Sequence, residues 1–511
     1  MGWAQTPNEK DKLHIVPSQV DFQDYDEMFL ETCECCEKWS KYDAKDYIVT
    51  ESQVWDGTDN SIYSGLTDFP EEWIFIRDSL VISAGVTLEL KNMVFYFAPE
   101  AKVVVRRGSP GINGGRLIMD STVFTVDPRC FNRKIICSDP LDSCDIKHWQ
   151  GVRVEGYSDQ GQSISGPTQQ ARLIIRNDSK IEHAKIAALA GSETAPNMGG
   201  GVINIHNSRI FDNETGIQYD PYVRLSGTTE MWNMGQIFNT HFATTPAFFK
   251  DDFDPKYFVH VEGIGGLLLY GNLYENQIPD SFSVYSKGTG IYTVNSRVQE
   301  RWFCSGSQLP DCAGGTINRS DFKNLTFGIA GYNTISTRTL YVHHAIFNEN
   351  KYGINIHNFT NPSILDNTFN VPRVDNSFGM WLNSSTGYMV ENNTFQQGIG
   401  SGYFWTFGIV LQSSGDQSNL IYRNQFRDIT NGIFSQGQNA NPLDEDIGLR
   451  YMCNNFAETT IRNADIQVNS GTISDDQGDC SPVNPAGNFF SHSSTLFGNH
   501  YDFGVNPAGV D

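Results

Sequence analysis

The sequence has no apolar run that approaches the ~18 residues of a membrane span. Its longest, Met93–Ala98, reads MVFYFA. No stretch carries the 3.6-residue period of a long amphipathic helix, so a helical bundle is excluded. Positive charge is scarce: 36 Lys and Arg stand against 59 Asp and Glu, a net charge of −23. Such a chain repels phosphates, which argues against a nucleic-acid partner and leaves neutral or cationic surfaces and divalent cations. Charged residues are only 19% and hydrophobic ones 39%, so the chain is not a disordered acidic tail either. No signal peptide fits in Met1–Thr6, which reads equally as the tail of one or as a plain start.

What is present points to short strands. Gly numbers 47, and 33 of the 511 residues are Phe. From Trp73 onward, runs such as WIFIRDSLVI, MVFYFA and GGRLIMDSTVFTV alternate β-branched or aromatic residues with polar ones between Gly, Pro and Asn. The preceding residues, 1–72, have no steady period and read as an N-terminal cap or arm.

The decisive feature is an internal repeat. An apolar residue is followed six positions later by Gly and Ile, as in Ile210…Gly216-Ile217, Phe322…Gly328-Ile329, Phe347…Gly353-Ile354 and Phe426…Gly432-Ile433. Overlapping it runs Asn-x-aromatic, at Asn272, Asn367, Asn393, Asn424 and Asn454. The aromatics Phe322, Phe347, Phe369, Phe395, Phe426 and Phe456 stand 25, 22, 26, 31 and 30 residues apart. That period suits one turn of a right-handed parallel β-helix, whose coils hold three short strands and three bends. The Phe is expected to stack inside the coil. The Asn is expected at a left-handed bend, bonding along the stack. The Gly is expected either at positive φ or in close packing. The Ile opens the next inward strand. Ten to fourteen coils at ~4.8 Å spacing make a rod of roughly 50–70 Å. A propeller would carry Trp-Asp or kelch repeats, and neither occurs. The expected division is cap 1–72, β-helix 73–470 and a C-terminal segment 471–511 that leads into further domains.

Ten Cys, an even number in a polar, Asn-rich chain, suggest disulfides formed in an oxidising compartment. Cys304 and Cys312 bracket one loop; Cys453 and Cys480 bracket another. Cys33, Cys35 and Cys36 form one cluster and Cys130, Cys137 and Cys144 a second, with cross-links expected between the two. Zinc is disfavoured at the first cluster, which lacks Cys-x-x-Cys spacing and a nearby His.

The order of VISAGVTLEL, MVFYFAPEAKVVVRRG, GGRLIMDSTVFT and the block Trp149-Gln150-Gly151-Val152-Arg153-Val154, followed by the coil repeats, resembles the large secreted parallel β-helix proteins of Bacteroidota. The resemblance covers roughly residues 75–470. It implies the fold and an address outside the cell, often through type IX secretion with a C-terminal sorting domain. It implies little about activity. The final residues, Asn506 to Asp511, do not resemble a sorting domain, so that signal is expected elsewhere.

Chemistry-bearing motifs are sparse. Polygalacturonase signatures (Asn-Thr-Asp, Gly-His-Gly, Arg-Ile-Lys) do not occur, and no acidic cluster with a strand-borne Arg suggests a pectate lyase. Asp251, Asp252 and Asp254 (DDFD) offer hard oxygens for Ca²⁺, without an EF-hand pattern; a solvated acidic loop explains them more simply. His343-His344 is expected to alternate across a strand, so that one faces solvent. Tyr403, Phe404 and Trp405, in an insertion over 398–407, and Trp381 supply aromatic faces for sugar rings; core packing explains Trp381 equally well. These features favour a secreted or cell-surface module without enzymatic activity, a rigid rod presenting turn insertions to glycans, surface proteins or sister subunits. The alternative is a polysaccharide lyase or glycoside hydrolase. No resident cofactor is expected beyond possible Ca²⁺.

Overall fold

The computed structural model describes residues 47–56, 73–98, 101–126, 148–163, 166–191, 199–246, 255–279, 287–306, 312, 314–334, 337–398, 404–415, 417–456, 463–478, 486–491 and 501–506. Three long sheets of 15, 14 and 12 strands, here A, B and C, account for nearly all of its regular structure. The chain visits A, B and C in turn: Tyr47–Val49 joins A, Gln53–Trp55 joins B, Trp73–Ile76 joins C, and Ser79–Ile82 returns to A beside the first strand. Neighbours within the sheets pair in parallel, apart from an antiparallel pair, Ala440–Asn441 with Asp444–Met452, at the end of B. The fold is a right-handed parallel β-helix, and continuous parallel sheets of this order exclude a propeller or sandwich. Among the described residues, strands of the coil run from Tyr47–Val49 to Tyr501–Asn506. Fifteen strands in sheet A give a stack of roughly 67 Å at ~4.8 Å per coil.

The interior follows the repeat. In sheet A, Ile217, Val259, Ile291, Ile329, Ile354, Met380, Ile409, Ile433 and Ile466 are register partners in successive coils, and all are fully buried. In sheet C the aromatic side chains form one stack. Phe322 and Phe347 lie 4.8 Å apart at 4°, Phe347 and Phe369 4.6 Å at 4°, and Phe369 and Phe395 4.7 Å at 7°. Phe426 and Phe456 extend it toward the C-terminus, and Tyr274 and Phe242 toward the N-terminus.

Of the two roles expected for the repeat Gly, close packing holds. A Cβ on Gly328 would stand 2.7 Å from the Phe347 ring, and one on Gly353 2.8 Å from the Phe369 ring and against the Gly379 carbonyl. Each ring lies where the preceding strand of sheet A has no side chain. The Asn expectation needs correction. The left-handed residue is the one before it: Asp366, Asn392, Arg423 and Cys453 have φ of 55–57°. The repeat Asn instead turns inward and is buried. Asn393 Nδ2 and its backbone N–H both donate to Asn424 Oδ1, each at 3.0 Å, and Asn424 repeats this onto Asn454. The amides thus satisfy the corner's buried backbone groups in an interior where an unpaired one is costly.

One coil departs from the pattern. After Glu300 the chain leaves sheet B for a hairpin, Phe303–Ser305 with Thr316–Asn318, and returns at Ser320. Glu300 is fully buried, accepting from Tyr274 Oη at 3.1 Å and from Ser320 Oγ. Burial pushes its carboxyl up from 4.5 to about 8.

Two outcomes follow. Gly353→Ala drives a methyl into Phe369 and the Gly379 carbonyl, and denaturant titration should show a loss of about 1–3 kcal/mol. The protonated Glu300 stabilises the fold fully below pH ~4.5, and this stabilisation declines as pH rises through the window from 4.5 to about 8. Glu300→Gln should therefore gain stability over the native chain between pH 5 and pH 8.5, measured as the difference in denaturation midpoint at the two pH values.

Candidate functional site

Near the start of each of these sheet A strands two successive residues face the interior, as Phe258 and Val259 do, and beyond them side chains alternate between the packed interior and the outer face. Register places three outward columns side by side. The first runs Tyr257, Thr289, Phe327, Tyr352, Phe378; the second His260, Tyr292, Ala330, Asn355, Trp381; the third Glu262, Val294, Tyr332, His357, Asn383. The first two columns are rich in aromatic residues, with two small ones, Thr289 and Ala330, on adjacent coils and adjacent columns. Between them lies an open trough of about 540 Å³, within the usual size of a ligand pocket.

Tyr257 stacks on Tyr292 at 4.7 Å and 16°, and the two form one wall. Tyr257 comes from the preceding coil, so the other face of Tyr292 looks over Ala330, its partner in the next coil. Phe327, Asn355 and His357 form the opposite wall, with Ala330 and Gly331 at the floor. Phe327, Tyr352 and Phe378 stack in turn, at 4.9 and 4.3 Å, which holds that wall upright. Pro255 and Lys256 stand at one end, where the chain turns from sheet C into sheet A; Tyr332, 46% exposed, stands near the other. Burial lowers the pKa of His357, and that of His260, which Asp220 partly raises back. The Lys256 ammonium pairs with Glu214.

The sequence candidates gather on this side of the rod. Trp381 lies on the outer face of sheet A rather than in the core, edge-on to Phe378 at 5.3 Å. Trp405 is 47% exposed, and its backbone bonds Asp375 and Asn376 at the corner leading from sheet C into sheet A. Phe404, beside it, accepts from Thr430 Oγ1 through its carbonyl. Tyr403 lies outside the described residues, as do Asp251, Asp252 and Asp254, whose segment re-enters at Pro255 on the rim of the trough. The trough itself was not anticipated. Its signal is the lapse of aromatic character at Thr289 and Ala330, visible only once the coils are in register. His343 and His344 do not alternate on a strand: His344 takes φ 60° at the corner after His343, and both are partly exposed. Burial lowers the pKa of His343 to about 4, and its Nε2 meets Ser363 Oγ at 3.1 Å.

Cys304 and Cys312 form the expected disulfide, closing the hairpin whose Phe303 packs 4.2 Å from Phe238. Cys453 departs from expectation: it carries a free, exposed thiol, because it is the left-handed corner residue and faces outward while Asn454 faces in. Cys480 lies outside the described residues, as do Cys33, Cys35, Cys36, Cys130, Cys137 and Cys144. Titration of the native protein with a thiol reagent should therefore count one fewer reactive thiol in Cys453→Ser; an unchanged count would mean that Cys453 is paired.

Residues 254–473 match the family described as periplasmic copper-binding protein (NosD). No curated protein matches the chain. Among solved structures, it is similar to the periplasmic alginate epimerase AlgG, at 13% identity over 84% of this chain and 78% of that one, with a TM-score of 0.28. It is similar to the Azotobacter vinelandii mannuronan C-5 epimerase AlgE6 A-module at 9% identity over 86% and 91%, with a TM-score of 0.31. It also resembles the Streptococcus pneumoniae surface protein and adhesin PfbA at 8% identity over 86% and 92%, with a TM-score of 0.20. Copper favours grouped imidazole and sulfur donors. Among the described residues no three His, Cys, Asp or Glu side chains come together as a metal site, so no chemistry is routed through copper. No helix among them is long and apolar enough to cross a membrane.

Proposed function

We propose that this protein is an extracellular or cell-envelope module whose sheet A face binds glycans, an adhesive rod in the manner of the secreted Bacteroidota β-helix proteins it resembles. The observation that carries this reading is the open trough beside Tyr292, whose ring stacks on Tyr257 by one face and turns the other toward the space over Ala330. Aromatic faces suit the apolar faces of sugars, and the hydroxyl, amide and imidazole groups around them suit sugar hydroxyls. The neighbouring corner, with Trp405 exposed, extends the same side of the rod. Export through type IX secretion, Ca²⁺ at Asp251, Asp252 and Asp254, and contacts with sister subunits belong to the same proposal.

Binding to a glycan array provides the test. Tyr292→Ala removes the open ring, and Ala330→Tyr continues the aromatic stack and fills the trough without touching the interior. Both variants should lose at least tenfold in affinity for whatever glycan the native protein retains, with unchanged unfolding temperature. Full binding by both variants would place glycan recognition elsewhere. The alternative, a polysaccharide lyase or hydrolase, is tested by release of reducing ends or unsaturated uronates, and turnover abolished by one Asp or Glu substitution would establish it.

A further inference from the structure

The trough has a direction. Its small residues, Thr289 in the first column and Ala330 in the second, lie on consecutive coils, and the space continues between Tyr332 and His357 in the third. It therefore starts at the corner occupied by Lys256, crosses the strands and steps toward the C-terminus by about one coil per column. Tyr257 and Tyr292 close it on one side and Phe327 and Asn355 on the other, so a chain running along the rod axis would meet both walls. A ligand lying in it crosses the rod obliquely. The columns stand three and two residues apart, so together they span roughly 17 Å along the strands.

Its electrostatics are also defined. None of the described Asp or Glu residues lines it; the one cation among the described lining residues, Lys256, pairs with Glu214, and the nearby Lys351 ammonium sits 5.3 Å over the Tyr352 ring behind Phe327. Burial keeps His357 below its ordinary pKa and hence largely neutral at pH 7. The chain around it carries −23. A polyuronate brings one carboxylate per sugar into this setting. Each would exchange water for a site whose cations, Lys256 and Lys351, are already engaged with Glu214 and the Tyr352 ring, against the field of the whole molecule. Uncharged sugars meet no such penalty and keep the ring face of Tyr292 and the surrounding hydrogen-bonding groups.

We infer that the trough takes a short run of uncharged sugars lying obliquely across the rod, and that it excludes polyuronates. The inference rests on the glycan-binding reading above and narrows it.

Calorimetric titration of the full chain tests it with two sets of defined oligosaccharides. The uncharged set comprises cello-, xylo- and manno-oligomers of two to six units; the anionic set comprises galacturonate and mannuronate oligomers of the same lengths, with and without Ca²⁺. At least one uncharged series should bind. Its affinity should stop rising at about three or four units, as the span of the trough requires. Changing NaCl from 50 to 300 mM should alter it less than twofold, and Ala330→Tyr should lower it tenfold or more. Uronates should bind at least tenfold more weakly in every condition. A uronate series that binds best, falls with salt and is lost in Ala330→Tyr would overturn the inference while sustaining the glycan reading; so would uronate binding that appears only with Ca²⁺. Affinity that keeps climbing to six units would overturn the oblique placement. Indifference of every interaction to Ala330→Tyr and Tyr292→Ala would place glycan recognition outside the trough and overturn the inference, and no binding in either set or on the array would remove the glycan reading itself.

Discussion

A ring in sheet C rests where the sheet A strand before it has no side chain, and this complementarity sets the geometry of the solenoid. Phe347 over Gly328, Phe369 over Gly353 and Phe395 over Gly379 repeat the same contact, and the rings stack at nearly the coil spacing. Because the Gly lies at the start of a sheet A strand and the ring in the sheet C strand that follows it round the coil, the contact sets how closely successive turns approach at the corner between C and A. The buried Asn ladder fixes the opposite corner. Between these two constraints each coil has little freedom, and the outer columns of sheet A are held in register by an interior that varies little.

That rigidity gives the outer face its meaning. On a surface with fixed columns, replacing one large residue by Ala leaves a defined trough, since neighbouring coils cannot slide together to fill it. The walls at Tyr292 and Phe327 are supported by their own stacks, so the site is preformed and a ligand pays little to order it. Insertions leave at the bends, where added length disturbs neither stack.

Much of the architecture was legible in the sequence because the physics repeats. Phe, Gly, Ile and Asn recur at the same offsets from about residue 210 onward, each for a reason that holds in every coil. Earlier coils were harder to count, since Ile181 and Ile210 stand where later coils have rings, and Tyr47–Val49 joins sheet A from a segment without a visible period. The candidate site was less legible. Trp381 and Trp405 stand out by residue type alone. Thr289 and Ala330 do not, because their significance lies in what their register neighbours are, and variable insertions hide the register. The free thiol of Cys453 was missed for a related reason: its position at a corner, one residue before the inward Asn, decides which way it points.

Near-identical coils raise a problem of counting. Residues 345–456 present the same faces turn after turn, so a chain winding one turn out of step would still find Phe against Phe and Asn against Asn. The coil at Glu300 breaks the monotony. Tyr274 brings a hydroxyl to the buried carboxyl of this turn, Ser320 stands where the preceding coil has Asn272, and Ala345 follows with no amide of its own. A misnumbered coil would strand that carboxyl without partners in the dry interior. The least regular turn thus works as a fiducial mark, giving an otherwise periodic winding a single correct count.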